Sequence, residues 1–396
     1  MAFEELPYEL LLQILSYLPD LTTLDSLLRA SPVAYRLFDD GANAVDVFES
    51  VLSDGCVCDH VQVLMRQVAL LRAGARPFPP GYTEYAPWPV APGLASFRRQ
   101  VIEESLRHSS RRTPSPAGFA PRRLDRDTAP CVVRGVLVTG RRLAAASLDC
   151  IDYYLHELAA HVGGAAAGSD TAPTWSEEQR CVRTLWRLQL IFDVKRAARR
   201  GTLGWSRKDL KSLEGVAAVG ATEDDWWLGL QVSRFSQHWP AAGASGGERF
   251  FYHAAAHHDC YYPDVPHPEK HEHATVMEYI RRRCGQDLAT RVNQGLACPS
   301  TVAGDGEVRR TGEAPGPALG DRRKLIFASA AMQYYESVRP VAGTGVACAE
   351  HGGGAQGLDI ATLRQAGFAL WSNQRLKALT NLSDLPRFLN QTRTLA

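Results

Sequence analysis

Apolar residues recur at three- and four-residue spacing along most of the chain. Leu10, Leu11, Ile14, Leu15 and Leu18 form such a run near the start, and this spacing predicts a helix with one apolar stripe. Pro7 suits a first helical turn, where its missing N–H goes unused, and Glu4, Glu5 and Glu9 place negative charge at the positive end of the helix dipole. Pro19 ends the run. A second helix is predicted around Leu24, Leu27 and Leu28, with Thr22 and Asp25 as a variant capping box. Ser31-Pro32 opens a third, with serine as N-cap, proline at the first helical position, and Val33, Ala34, Leu37 and Phe38 on its buried side. A core this small supplies at most about 3–5 kcal/mol. A hydrophobic partner groove is expected to cover what the three helices cannot bury themselves.

Further along, the pattern predicts helices over 42–52 and 59–71, the latter with Val61, Leu64, Met65, Val68 and Leu71 as its stripe. Residues 74–93 are dense in proline and are predicted to be extended. A helix is predicted over 95–108, and a disordered basic linker over 109–130. Helical spacing returns over 132–161, with Leu148, Ile151, Tyr154, Leu155 and Leu158 on one side. Thr174 and Glu177 form a capping box for the strongest helix, which runs to about Arg200 and stops at Gly201. Shorter helices are predicted over 206–219, 222–238, 274–284, 286–296, 321–337, 358–371 and 372–382. The one short strand candidate is 131–138. The fold class expected is all-α, with long Pro- and Gly-rich loops. The expected divisions are a three-helix module over 1–48, a helical connector over 49–108 holding the Pro-rich 74–93, the linker over 109–130, and a helical region over 131–396.

The opening residues carry the functional signal. Leu6-Pro7-x-Glu9, Ile14-Leu15-x-x-Leu18 and Leu24-x-x-Leu27-Leu28 stand in the register of an F-box, and this part of the chain, roughly 3–48, resembles that family. In the third helix Tyr35 falls near the family's usual tryptophan, and the Ser31-Pro32 variant is similar to F-box proteins of filamentous fungi. The resemblance implies a substrate receptor of a Skp–cullin–F-box ubiquitin ligase, without chemistry of its own. It implies that Leu6, Pro7, Leu11, Ile14, Leu15, Leu18, Leu24, Leu27 and Leu28 either face a Skp-type adaptor, and through it a cullin, or pack the module that does. Sequence does not divide the nine between those roles. The target protein held by the C-terminal region stays open. A scaffold that binds the adaptor without a ligase role is the alternative.

Bulk composition fits this reading. The net charge of +1 gives no argument for a nucleic-acid partner. No stretch of about 18 apolar residues occurs, so no membrane span is expected. Met1–Glu5 lack the charged and apolar regions of a secretory signal. Nine scattered cysteines suit reduced thiols, and a cytoplasmic or nuclear location is expected. Leucine-rich, WD and kelch repeats are absent, so no familiar target-binding repeat follows the opening module.

Other clusters are weaker. His253, His257, His258, Asp259, Cys260, His267, His271 and His273 include two pairs at i,i+4 spacing that suit a metal, the less favoured reading of a histidine-rich loop. Pro263, Pro266 and Pro268 interrupt the second pair, and no His-Glu-x-x-His is present. Cys56-x-Cys58-x-His60 is too tightly spaced for a zinc knuckle. Arg180, Arg183 and Arg187 are read as a basic stripe on the strong helix, and Lys195, Arg196, Arg199 and Arg200 as cations suited to its C-terminal end. Thr113-Pro114 and Ser115-Pro116 are minimal proline-directed phosphorylation sites. No nucleophile elbow, phosphate loop or dinucleotide fingerprint occurs, so neither a catalytic residue nor a cofactor is expected.

Overall fold

The fold is that of a computed structural model, which describes residues 5–54, 57–74, 123–162, 173–203 and 268–302, together with Arg207, Leu210, Glu214, Gly367, Ala369–Trp371 and Arg375. Nine α-helices run through the described residues: α1 Tyr8–Ser16, α2 Leu21–Ala30, α3 Pro32–Asp39, α4 Asn43–Asp54, α5 Asp59–Arg72, α6 Pro130–Val162, α7 Trp175–Arg199, α8 Pro268–Cys284 and α9 Gln286–Asn293. A short 3-10 turn follows at Pro299–Thr301. No strand occurs among the described residues, so the protein is all-α. None of these helices is long and apolar enough to cross a membrane.

The strand candidate over 131–138 is the first turns of α6. Val133, Val136, Leu137 and Leu143 are buried at helical, not alternating, spacing. Packing on that face overrides the β preference of the valines. The helix predicted from 274 begins at Pro268, where a first-turn proline costs no hydrogen bond. The helix predicted over 358–371 does not continue to its end: Gly367 has φ +75° and Ala369 and Leu370 form a turn. The helices predicted over 95–108, 222–238 and 321–337 lie outside the described residues, as do the proline-rich stretch and both phosphorylation sites; those over 206–219 and 372–382 are described only at single positions.

The chain divides into two compact units. The first holds α1–α5, the start of α6, the end of α7 and residues 290–302. In it α1, α2 and α3 pack together, and α4 packs on all three. Leu11 and Leu15 of α1, Leu24 and Leu28 of α2, and Leu37 and Phe38 of α3 are buried, as are Ala44, Val45, Phe48, Val51 and Leu52 of α4, which packs on all three. The cover expected from a partner is thus supplied in part by the chain itself. All five predicted stripe residues of α5 are buried.

Two polar networks lie in this unit, the first buried and the second part-buried. Arg66 donates to Glu49 through Nε at 3.0 Å and Nη2 at 2.6 Å, and the Leu124 N–H donates to Glu49 Oε1 at 2.8 Å. Arg72 donates to Asp193 at 3.0 Å, to the Gly135 carbonyl at 2.8 Å and to Thr139 at 2.9 Å. Residues 123–129, at the end of the stretch read as disordered linker, are anchored here: Leu124 and Thr128 are buried, and Arg123 and Arg126 pair with Asp46.

The second unit holds the end of α6, the start of α7, α8, the start of α9 and Gly367–Arg375. Arg180 and Arg183, read from the sequence as part of a basic stripe, are buried in it; Arg187, in the first unit, is fully buried too. Arg183 Nη2 donates to both carboxylate oxygens of Glu272 at 2.6 Å, and Arg180 donates to the carbonyls of Leu370 and Trp371. Residues far along the chain supply these partners, so local charge spacing does not reveal them.

Candidate functional site

The site is the outer face of the N-terminal helices. Pro7 is the residue before α1, at φ −55° and ψ 146°, one position earlier than the first-turn place expected of it. The Tyr8 hydroxyl donates to Asp40 at 3.2 Å and accepts from Asn43 Nδ2 at 2.6 Å, while Asn43 also donates to the Leu37 carbonyl at 2.9 Å. These bonds fix the start of α1 against the α3–α4 turn, where Gly41 takes φ +56°. Such a left-handed turn favours glycine because it has no Cβ to clash.

The cap of α2 differs from the expected one. Asp20, not Thr22, is the N-cap: its carboxylate accepts from the Thr23 N–H at 2.8 Å and from the Thr23 hydroxyl at 3.0 Å. Asp25 is buried and pairs with Arg141 at 2.8 Å. The cap of α3 is as expected, with Ser31 Oγ accepting from the Ala34 N–H at 3.2 Å.

The nine residues implied by the resemblance separate by depth. Leu11, Leu15, Leu24 and Leu28 are buried. Leu6, Leu18 and Leu27 are half-buried. Pro7 is exposed, and Ile14 is 38% exposed. The single stripe read from the sequence is therefore two faces. Leu10, at 47% exposed, stands one turn before Ile14, and Tyr17, at 76%, follows just past the helix end. Leu10 was read in the stripe but not among the nine, and Tyr17 was not singled out. Their 10–14–17 spacing was the available signal.

The exposed set Leu10, Ile14 and Tyr17 is apolar, contiguous in helical register and held on a fixed backbone. Such a face can bury itself against an apolar groove. It carries no cluster of acid, base and nucleophile.

The histidine-rich segment lies mostly outside the described residues. Among the described residues no group of three His, Cys, Asp or Glu could hold a metal. His273 is buried in the first turns of α8. In the short Cys-x-Cys-x-His run, Cys58 is buried. Compared with known proteins, the chain matches no family model, no curated protein and no solved structure at a significant level.

Proposed function

We propose that the chain is a substrate receptor of a Skp–cullin–F-box type ubiquitin ligase, docking through its N-terminal helices and bringing a target protein within reach of a ubiquitin-charged enzyme. The observation that carries the reading is the outward apolar set Leu10, Ile14 and Tyr17 on a helix whose other side, Leu11 and Leu15, seals a small core. An ordinary core helix has no need of that second apolar face. The Leu6-Pro7-x-Glu9 opening and the leucine helix that follows add the motif to the geometry.

In this reading Leu10, Ile14 and Tyr17 contact the adaptor, with Pro7 at the edge of the contact. Leu11, Leu15, Leu24 and Leu28 hold the helices that present them. The chain contributes proximity rather than chemistry. Its place is the cytoplasm or nucleus, where ligases of this type work.

The test is co-expression with a Skp-type adaptor and a cullin, followed by affinity capture on the chain. The reading predicts a stoichiometric ternary complex. A folded chain that elutes alone contradicts it.

A further inference from the structure

A cleft of about 800 Å³ opens in the first unit between α2, α3 and the start of α6. Leu28, Pro32 and Val138 supply apolar lining, and the exposed Arg29 and Arg36 line it as well. None of the residues of the outward α1 face lines it.

The charges around this cleft are unbalanced. Asp25 is the carboxylate of the lining, and Arg141 holds it at 2.8 Å. Arg134 pairs with Asp39 and lies over the Tyr35 ring, 4.8 Å from its centroid. Arg29 and Arg36 are exposed, and neither forms an ion pair among the described residues. Each sits in the last turn of its helix, where the dipole tolerates a cation. That accounts for each arginine singly but not for their meeting at one apolar cleft.

We infer that this cleft is a docking site for an acidic peptide segment of a partner protein, its carboxylates meeting Arg29 and Arg36 and an apolar side chain entering over Leu28, Pro32 and Val138. An extended peptide turns alternate side chains to opposite sides. A segment in which acidic and apolar residues are interleaved can therefore offer one set to the arginines and the other to the apolar lining. Two exposed cations that form no ion pair among the described residues, with a half-exposed tyrosine, favour such a peptide over a nucleic acid, whose binding rests on many phosphate contacts. The site does not depend on the adaptor reading.

The probe is a short fluorescein-labelled peptide of alternating glutamate and leucine, followed by anisotropy against the full chain. Binding is expected to be saturable and to weaken as salt rises from ~50 to ~300 mM, because exposed charges are screened over that range. Arg29→Glu/Arg36→Glu is expected to weaken it by about tenfold, with helical content unchanged by circular dichroism. Tyr35→Ala is expected to weaken it too. A probe with lysine in place of glutamate is expected not to bind. Absence of saturable binding by folded protein overturns the proposal. So does equal binding by the charge-reversed variant, or binding restricted to a phosphoserine version of the probe.

Discussion

Leu11 and Ile14 stand three residues apart on α1, and they face opposite surroundings: Leu11 is 4% exposed and closes the core, whereas Ile14 is 38% exposed and faces outward. The two positions therefore separate stability from binding. Leu11→Ala is expected to destabilise the first unit by roughly 2–5 kcal/mol, the range for a buried leucine truncated to alanine. Ile14→Asp is expected to change stability by under about 1 kcal/mol, because the new carboxylate meets water. Denaturant midpoints of the two variants check this. A large loss in Ile14→Asp would place that residue in the core.

Glu49 and Arg66 test the second feature of the first unit. Their side chains are 5% and 6% exposed, and Glu49 also accepts from the Leu124 N–H. Removing one member leaves a buried charge without its partner. Arg66→Met is expected to cost about 3–5 kcal/mol. The double variant Glu49→Leu/Arg66→Met is expected to recover part of that, since a hydrophobic pair avoids the desolvation of two ions. Urea unfolding of wild type, Arg66→Met, Glu49→Leu and the double variant gives the cycle.

Gly367 gives a prediction for the second unit. It takes φ +75°, and a Cβ there would stand 2.9 Å from Tyr154 Cγ. Tyr154 has little freedom to move, because its hydroxyl donates to the Thr275 carbonyl at 2.8 Å and its ring meets Trp371 edge-on. Gly367→Ala is expected to lower stability by more than the ~1–2 kcal/mol of the left-handed backbone alone. Thermal unfolding of Gly367→Ala against wild type, followed by circular dichroism, checks this.

Lys195 sets a pH dependence. Its ammonium donates to the Gln294 carbonyl at 2.7 Å and the Glu214 carbonyl at 3.2 Å. Burial, and secondarily the Arg199 charge, push its pKa down to about 8. The unfolded lysine keeps its proton to about pH 10.4. Between those values the unfolded chain binds more protons, so this group's contribution to stability rises with pH over that window. Below about pH 8 the charged, desolvated lysine is a full burden. The gap in stability between wild type and Lys195→Met is expected to move in favour of wild type as pH rises from 7.5 to 10, by denaturation at each pH. A gap that is flat across the window would contradict the lowered pKa.

Features set by neighbouring residues were legible in the sequence. Thr174 Oγ1 and Glu177 form the expected reciprocal cap: the Thr174 N–H donates to Glu177 Oε2 at 2.9 Å and the Glu177 N–H to Thr174 Oγ1 at 3.4 Å. Gly201 ends α7 at φ +70°, with the Thr202 N–H reaching the Ala197 carbonyl at 3.0 Å. Ser31 and Pro32 open α3 as their order requires.

What depends on distant residues was not legible. Asp25 suited a local cap until Arg141 engaged it, and Asp20 took the capping role. The basic stripe of α7 was visible, but not that Glu272, far along the chain, pairs with Arg183 in a buried site. The α1 stripe split for the same reason. Helical spacing places Leu10 and Leu11 together within a broad apolar arc, and only the positions of α3 and α4 decide which one is sealed.

The most direct measurement for the docking reading is the affinity of a purified Skp-type adaptor for the full chain, by calorimetry, in wild type, Leu10→Asp/Ile14→Asp and Arg29→Glu/Arg36→Glu proteins of equal helical content. The account predicts stoichiometric binding by wild type and loss of at least about tenfold in Leu10→Asp/Ile14→Asp, as for charges placed in a desolvated contact. Absence of binding by folded wild type, or equal binding by Leu10→Asp/Ile14→Asp, would show that the outward apolar face of α1 does not dock an adaptor.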